Sequence, residues 1–122
     1  MHAVAQTNAF LAQAKAAGIM ESEIDSLVTF VAENPDAGDV IQGTGGCRKI
    51  RVAGRGKGKS GGYRTITFYS GENMPVFLLA VFGKGERSDL SQKERNALRD
   101  LTKSIVEAYK AAPTPTTRRR GA

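Results

Sequence analysis

Hydrophobic spacing divides the chain into segments of two kinds. Ile24, Leu27, Val28 and Val31 recur at i, i+3, i+4 and i+7, the signature of one face of an amphipathic helix. Ser22 stands where a cap is expected. Asn34-Pro35 ends this helix, because the residue before a proline is pushed out of helical geometry. An Ala-rich stretch over 7–17 predicts an earlier helix, with Phe10, Leu11 and Ala14 on one side and Gly18 as its stop. Leu98, Leu101, Ile105 and Tyr109 form a third stripe. It opens at Ser91 with Glu94 three residues on, a capping-box pattern, and Ala112-Pro113 closes it.

The other segments read as strands. In residues 47–52, Lys49 and Arg51 fall on one side and Ile50 and Val52 on the other. Residues 63–69 are rich in Thr, aromatic and β-branched side chains and supply the partner strand of a hairpin. Residues 76–82 are apolar at every position, as in a central strand covered on both faces. Residues 2–5 read as a short edge strand, while 36–46, 53–62 and 83–90 read as loops. Consecutive strands with tight connections favour antiparallel pairing. The fold class is therefore α+β: N-terminal helices, a twisted antiparallel sheet of three to four strands and a C-terminal helix. The helices are expected to cover one sheet face, giving two layers. Residues 1–112 make one domain. Residues 113–122 lack apolar periodicity and are expected to form a disordered basic tail.

Charge adds a location. The chain of 122 residues carries a net charge of +6. Arg48, Lys49, Arg51, Arg55, Lys57, Lys59 and Arg64 lie between Asp39 and Glu72 with no acid among them. Arg118, Arg119 and Arg120 add a second basic block, and the remainder is acidic on balance. A basic block on such a scaffold suits a polyanion, most often nucleic acid. Residues 76–82 fall far short of the roughly 20 apolar residues of a membrane span, and no secretory signal is expected. A single Cys47 suits a reducing, cytoplasmic location. With His2 as the only histidine, a Cys/His zinc site within the chain is excluded, and no metal or cofactor is expected.

Two motifs in the basic block fail on context. Residues 56–61 fit G-x-G-x-x-G, and Gly58-Lys59-Ser60 fits the end of a Walker A loop. Both motifs require a following helix whose N-terminus holds phosphate, and a strand follows here. The Walker A pattern would also need glycine at Ala53. Glycines alternating with Lys57 and Lys59 still allow close approach of backbone to phosphate. After the apolar strand, Phe82 and Lys84 share strand parity, placing an aromatic ring beside a cation, a pairing that can stack a base and hold its phosphate.

Residues 43–51 (Gly-Thr-Gly-Gly-Cys-Arg-Lys-Ile-Arg), 56–64 (Gly-Lys-Gly-Lys-Ser-Gly-Gly-Tyr-Arg) and 84–91 (Lys-Gly-Glu-Arg-Ser-Asp-Leu-Ser) together resemble the RelE/ParE superfamily of bacterial toxins, most nearly its HigB-like, RelE-type branch. The resemblance runs from about Phe10 to Tyr109. It implies a ribosome-dependent mRNA endoribonuclease that works without a metal, the ribose 2′-OH attacking the adjacent phosphate. Carried over to this chain, the catalytic set is Lys57, Lys59, Arg64 and Lys84. Lys57 or Lys59 would be the base, Arg64 the main phosphate stabiliser, and Lys84 or Arg87 the acid or auxiliary cation. Arg48, Lys49, Arg51, Arg55, Phe82 and Arg87 would bind RNA, with Phe82 stacking on a base. The implied partners are the ribosome, mRNA and a helix-turn-helix, HigA-like antitoxin, with no membrane. A gyrase-poisoning, ParE-like toxin and a non-catalytic nucleic-acid-binding module fit the same basic face.

Overall fold

The computed structural model describes residues 2–54, 58–71, 73–83 and 90–111, with side chains throughout except at 53, 54, 58–61 and 111. The elements run β1 (Val4–Gln6), α1 (Asn8–Ala16), α2 (Glu21–Glu33), β2 (Asp39–Val40), β3 (Cys47–Gly54), β4 (Gly58–Phe68), β5 (Val76–Gly83) and α3 (Gln92–Ala111).

Local chemistry sets the helix limits. The Thr7 hydroxyl accepts from the Phe10 N–H at 3.2 Å and donates to the Leu78 carbonyl at 2.9 Å. One side chain thus caps α1 and ties it to β5. At α2 the cap lies earlier than Ser22: the Met20 N–H donates to the Glu23 carboxylate at 2.9 Å. The Asn34 amide donates to the Phe30 carbonyl at 3.0 Å where α2 ends. The capping box expected at α3 forms, with the Ser91 N–H donating to Glu94 at 2.8 Å and the Glu94 N–H to Ser91 at 3.2 Å.

The class is α+β, but the sheet has five strands in the order β1-β5-β4-β3-β2. It is mixed. β1 pairs parallel to β5, and the other pairings are antiparallel. The expected count of three to four missed β2, a two-residue strand inside a Gly-rich loop. β4 also begins at Gly58, inside the stretch read as a loop, where Gly54 pairs with Gly58.

The two-layer expectation is corrected to three layers. On one face, Ile50, Val76, Leu78 and Val81 pack with Phe10 and Ala14 of α1 and Leu27 and Val31 of α2. On the other, Cys47, Ile66, Phe68, Leu79 and Phe82 pack with Leu98, Ile105 and Val106 of α3. The apolar run of β5 explains this, since a strand with two apolar faces needs a cover on each. A register shift between Ile66 and Thr67 leaves Leu79 unpaired in the ladder, and Leu79 and Ala80 both join the second cluster. The stripe of α3 is also rotated from the expected one. Leu101 is 42% exposed and Tyr109 44%, while Thr102 is 2% exposed. The Thr102 hydroxyl donates to the Thr44 carbonyl at 3.0 Å, fixing α3 to the turn before β3. A side chain on Gly45 would collide with that hydroxyl, and the backbone φ of +78° there favours glycine as well.

Candidate functional site

Strand register assembles the site. Arg51 of β3 lies opposite Arg64 of β4, and Arg64 opposite Phe82 of β5. The three form one row across the sheet, on the face that α3 covers further along. Lys49, Ile66 and Ala80 form the next row on that face. Lys49 and Arg51 thus share a side of β3, as their alternation predicts.

The pairing of the two arginines is close. The Ile41 N–H donates to the Cys47 carbonyl at 2.8 Å, so Cys47 turns its backbone polar groups toward β2. Alternate residues do the same, which makes Arg51–Arg64 a non-hydrogen-bonded pair. In such pairs the Cα atoms stand only about 4.5 Å apart and the side chains are near neighbours. Like charges set directly opposite are destabilising.

Arg64 is 6% exposed, and its Nη1 is buried with no hydrogen-bond partner among the described residues. A buried guanidinium nitrogen left unpaired is costly, by more than the 1–3 kcal/mol typical of a neutral group. An arriving phosphate oxygen would remove that penalty through a charge-assisted bond, and the guanidinium fork matches phosphate geometry. Arg51 is exposed beside it. The row therefore sets one buried and one exposed cation side by side.

The other candidate residues divide. Arg48 has the opposite parity, opposite Thr67, and its Nη1 donates to the Gly38 carbonyl at 3.0 Å, so it does not join the row. Phe82 is 3% exposed within the second core cluster. Its ring packs in that cluster and backs Arg64 from the neighbouring strand. Lys59 lies on β4, with its side chain outside the described residues, as are Arg55, Lys57, Lys84 and Arg87 altogether. Sequence pattern places Arg64 among the cations of a hairpin. It does not show that Arg51 is the neighbour of Arg64, because pairing depends on a register that only the completed ladder shows.

Cys47 is not available as a nucleophile. It is fully buried, and that burial pushes its thiol up from 9.0 to about 11, against a smaller opposing effect of hydrogen bonding with Thr44. Among the described residues no cluster of three or more His, Cys, Asp or Glu could hold a metal, and no helix is long and apolar enough to cross a membrane.

The family model described as the RelE toxin of the RelE / RelB toxin-antitoxin system matches residues 3–115. The chain belongs to the RelE toxin family. The match spans every strand and helix from β1 to α3 and includes Arg51 and Arg64. As a RelE toxin, the protein is one half of a toxin–antitoxin pair, and its partner is an antitoxin.

Proposed function

We propose that this RelE toxin is a ribosome-dependent mRNA endoribonuclease of the HigB-like branch that inhibits translation in the cytoplasm. The observation that carries the reading is the buried, unpartnered Nη1 of Arg64 beside Arg51. In the reaction, the ribose 2′-oxygen loses its proton and attacks the adjacent phosphorus. The 5′-oxygen of the next nucleotide leaves and takes up a proton. The products are a 2′,3′-cyclic phosphate and a free 5′-hydroxyl. Negative charge grows on the non-bridging oxygens as the phosphorus becomes five-coordinate, and preset donors aimed there lower the barrier. Arg64 takes that role. Arg51 and Lys49 hold neighbouring phosphates of the message, and Lys57 or Lys59 serves as the base. Lys84 or Arg87 assists the leaving oxygen. Residues 1–112 form the toxin domain and 113–122 a basic tail. The antitoxin is a helix-turn-helix, HigA-like protein.

The test is controlled expression followed by mapping of RNA 5′ ends, comparing wild type with Arg64→Ala. Wild type should arrest growth and produce new 5′-hydroxyl ends within translated messages. Arg64→Ala should do neither. Growth arrest with intact messages would overturn the reading.

A further inference from the structure

One carboxylate stands on the cationic face of the sheet. Among the residues of the five strands, Asp39 of β2 is the one acid. It pairs with Lys49, so it extends the row of Lys49, Ile66 and Ala80 and lies on the same face as Arg51 and Arg64. Its backbone is fixed from both sides. Before it, Gly38 lies so close to β3 that an added Cβ would fall 2.8 Å from the Lys49 carbonyl oxygen, and the Gly38 carbonyl accepts from Arg48 Nη1 at 3.0 Å. After it, the Ile41 N–H donates to the Cys47 carbonyl at 2.8 Å. Asp39 is exposed, and among the described residues no hydrogen bond or ion pair engages its carboxylate. Beside Lys49, Arg51 and Arg64, an exposed carboxylate repels phosphate and weakens binding to any RNA backbone. A favourable contact between Asp39 and RNA is therefore made to a hydrogen-bond donor on a base or sugar.

An ionised carboxylate only accepts hydrogen bonds, through two oxygens set side by side. Single-stranded RNA offers base donors on its Watson–Crick edges. Guanine alone has two neighbouring donors there, N1–H and the N2 amino group. Adenine and cytosine place an acceptor nitrogen beside their amino group, and uracil has one N–H between two carbonyls. Asp39 lies two strands and two residues from Arg64, about 12 Å between Cα atoms from strand spacing and rise. With a phosphate on Arg64, that separation sets Asp39 beside the base of a flanking nucleotide. We infer that Asp39 is a specificity residue that reads guanine in the message, its two carboxylate oxygens accepting from N1–H and the N2 amino group of a base flanking the cleaved bond. This rests on the nuclease reading above and extends it. Lys49 and Arg51 hold the backbone, which positions the RNA without reading it, and Asp39 selects the base.

The test maps the RNA 5′ ends that purified full-length toxin produces from ribosome-bound messages, comparing wild type with Asp39→Asn. Wild type should cut with guanine favoured about tenfold or more over the other bases at one fixed position beside the cut. Replacing that guanosine with inosine, which lacks the N2 amino group, should slow wild-type cleavage about tenfold. An asparagine amide has one acceptor and one donor and no longer calls for two donors on the base. Asp39→Asn should therefore cleave the guanosine and inosine messages equally, with an unchanged urea midpoint. A purely electrostatic role has a different signature: Asp39→Asn would speed cleavage at all sites alike, and that result would overturn the inference. So would a guanine preference that Asp39→Asn keeps. Wild-type cleavage with another base favoured, or none, would overturn it while the nuclease reading stands. If wild-type toxin leaves messages intact, the nuclease reading fails, and the base site is read by fluorescence anisotropy with hexauridine RNA carrying one internal guanosine or inosine. Binding of the guanosine RNA about tenfold more tightly, a gap lost in Asp39→Asn, keeps the guanine site, and equal binding overturns it.

Discussion

Two neighbouring rows of the same three strands have opposite chemistry. Ile50, Thr65 and Val81 face α1 and α2, and all three are buried. One residue along, Arg51, Arg64 and Phe82 face the other way. The first row closes a core, and the second presents cations held in place by it. Because side chains alternate with a period of two, a strand can spend one parity on folding and the other on binding, with no boundary between domain and site. The second face is itself divided. Around Cys47, Ile66 and Phe68 it is core under α3, and toward Arg64 it becomes polar.

Damage to the two rows should therefore separate. The largest stability effect belongs to the first face. Phe10, fully buried under α1, should cost about 3–5 kcal/mol when truncated to alanine, measured as a lower urea midpoint. Refolded Phe10→Ala protein should retain its per-molecule cleavage rate. A selective loss of cleavage would join the two rows that the structure separates.

The core half of the second face can be probed by pH through Cys47. Below pH 9 its thiol is protonated in both folded and unfolded chains. The folded value is raised to about 11, so between pH 9 and 11 the unfolded chain gives up the proton first. Stability should therefore fall as pH rises through that window, by up to about 1.4 kcal/mol per pH unit. Cys47→Ala should have a flatter profile across it. Identical profiles would mean that the thiol is more open than its burial indicates.

The smallest effect is at the exposed end of the cationic row. Arg51→Ala should change stability by less than about 0.5 kcal/mol, since it removes an exposed side chain and a like-charge neighbour. It should slow message cleavage about tenfold, near 1.4 kcal/mol. A loss of stability without loss of rate would make Arg51 structural.

Much of this architecture was legible from residue pattern. The stripe of α2, the Ser91–Glu94 box, the apolar run of β5 and the split of Lys49 and Arg51 from Ile50 and Val52 all follow from local geometry. What was not legible depends on long-range pairing. Leu101 and Thr102 are adjacent on α3. Hydropathy favours burying the leucine, yet the hydrogen bond to Thr44 buries the threonine instead. β2 is too short to carry a period, and the parallel pairing of β1 with β5 depends on where α1 returns the chain. Phe82 carries no sign in its own neighbourhood that α3 will enclose it. The Arg51–Arg64 pair joins residues thirteen apart in sequence through a hairpin register that only the bulge between Val52 and Gly54 settles.

Whether the guanidinium of Arg64 meets phosphate is decided most directly by single-turnover cleavage of a ribosome-bound message by purified Arg64→Ala, with its urea midpoint measured alongside. Losing a preset donor of this kind should lower the rate about 100- to 1,000-fold. Stability should hold or rise, because a buried guanidinium nitrogen without a partner is removed. A rate equal to wild type, or a loss of rate explained by unfolding alone, would contradict this role for Arg64.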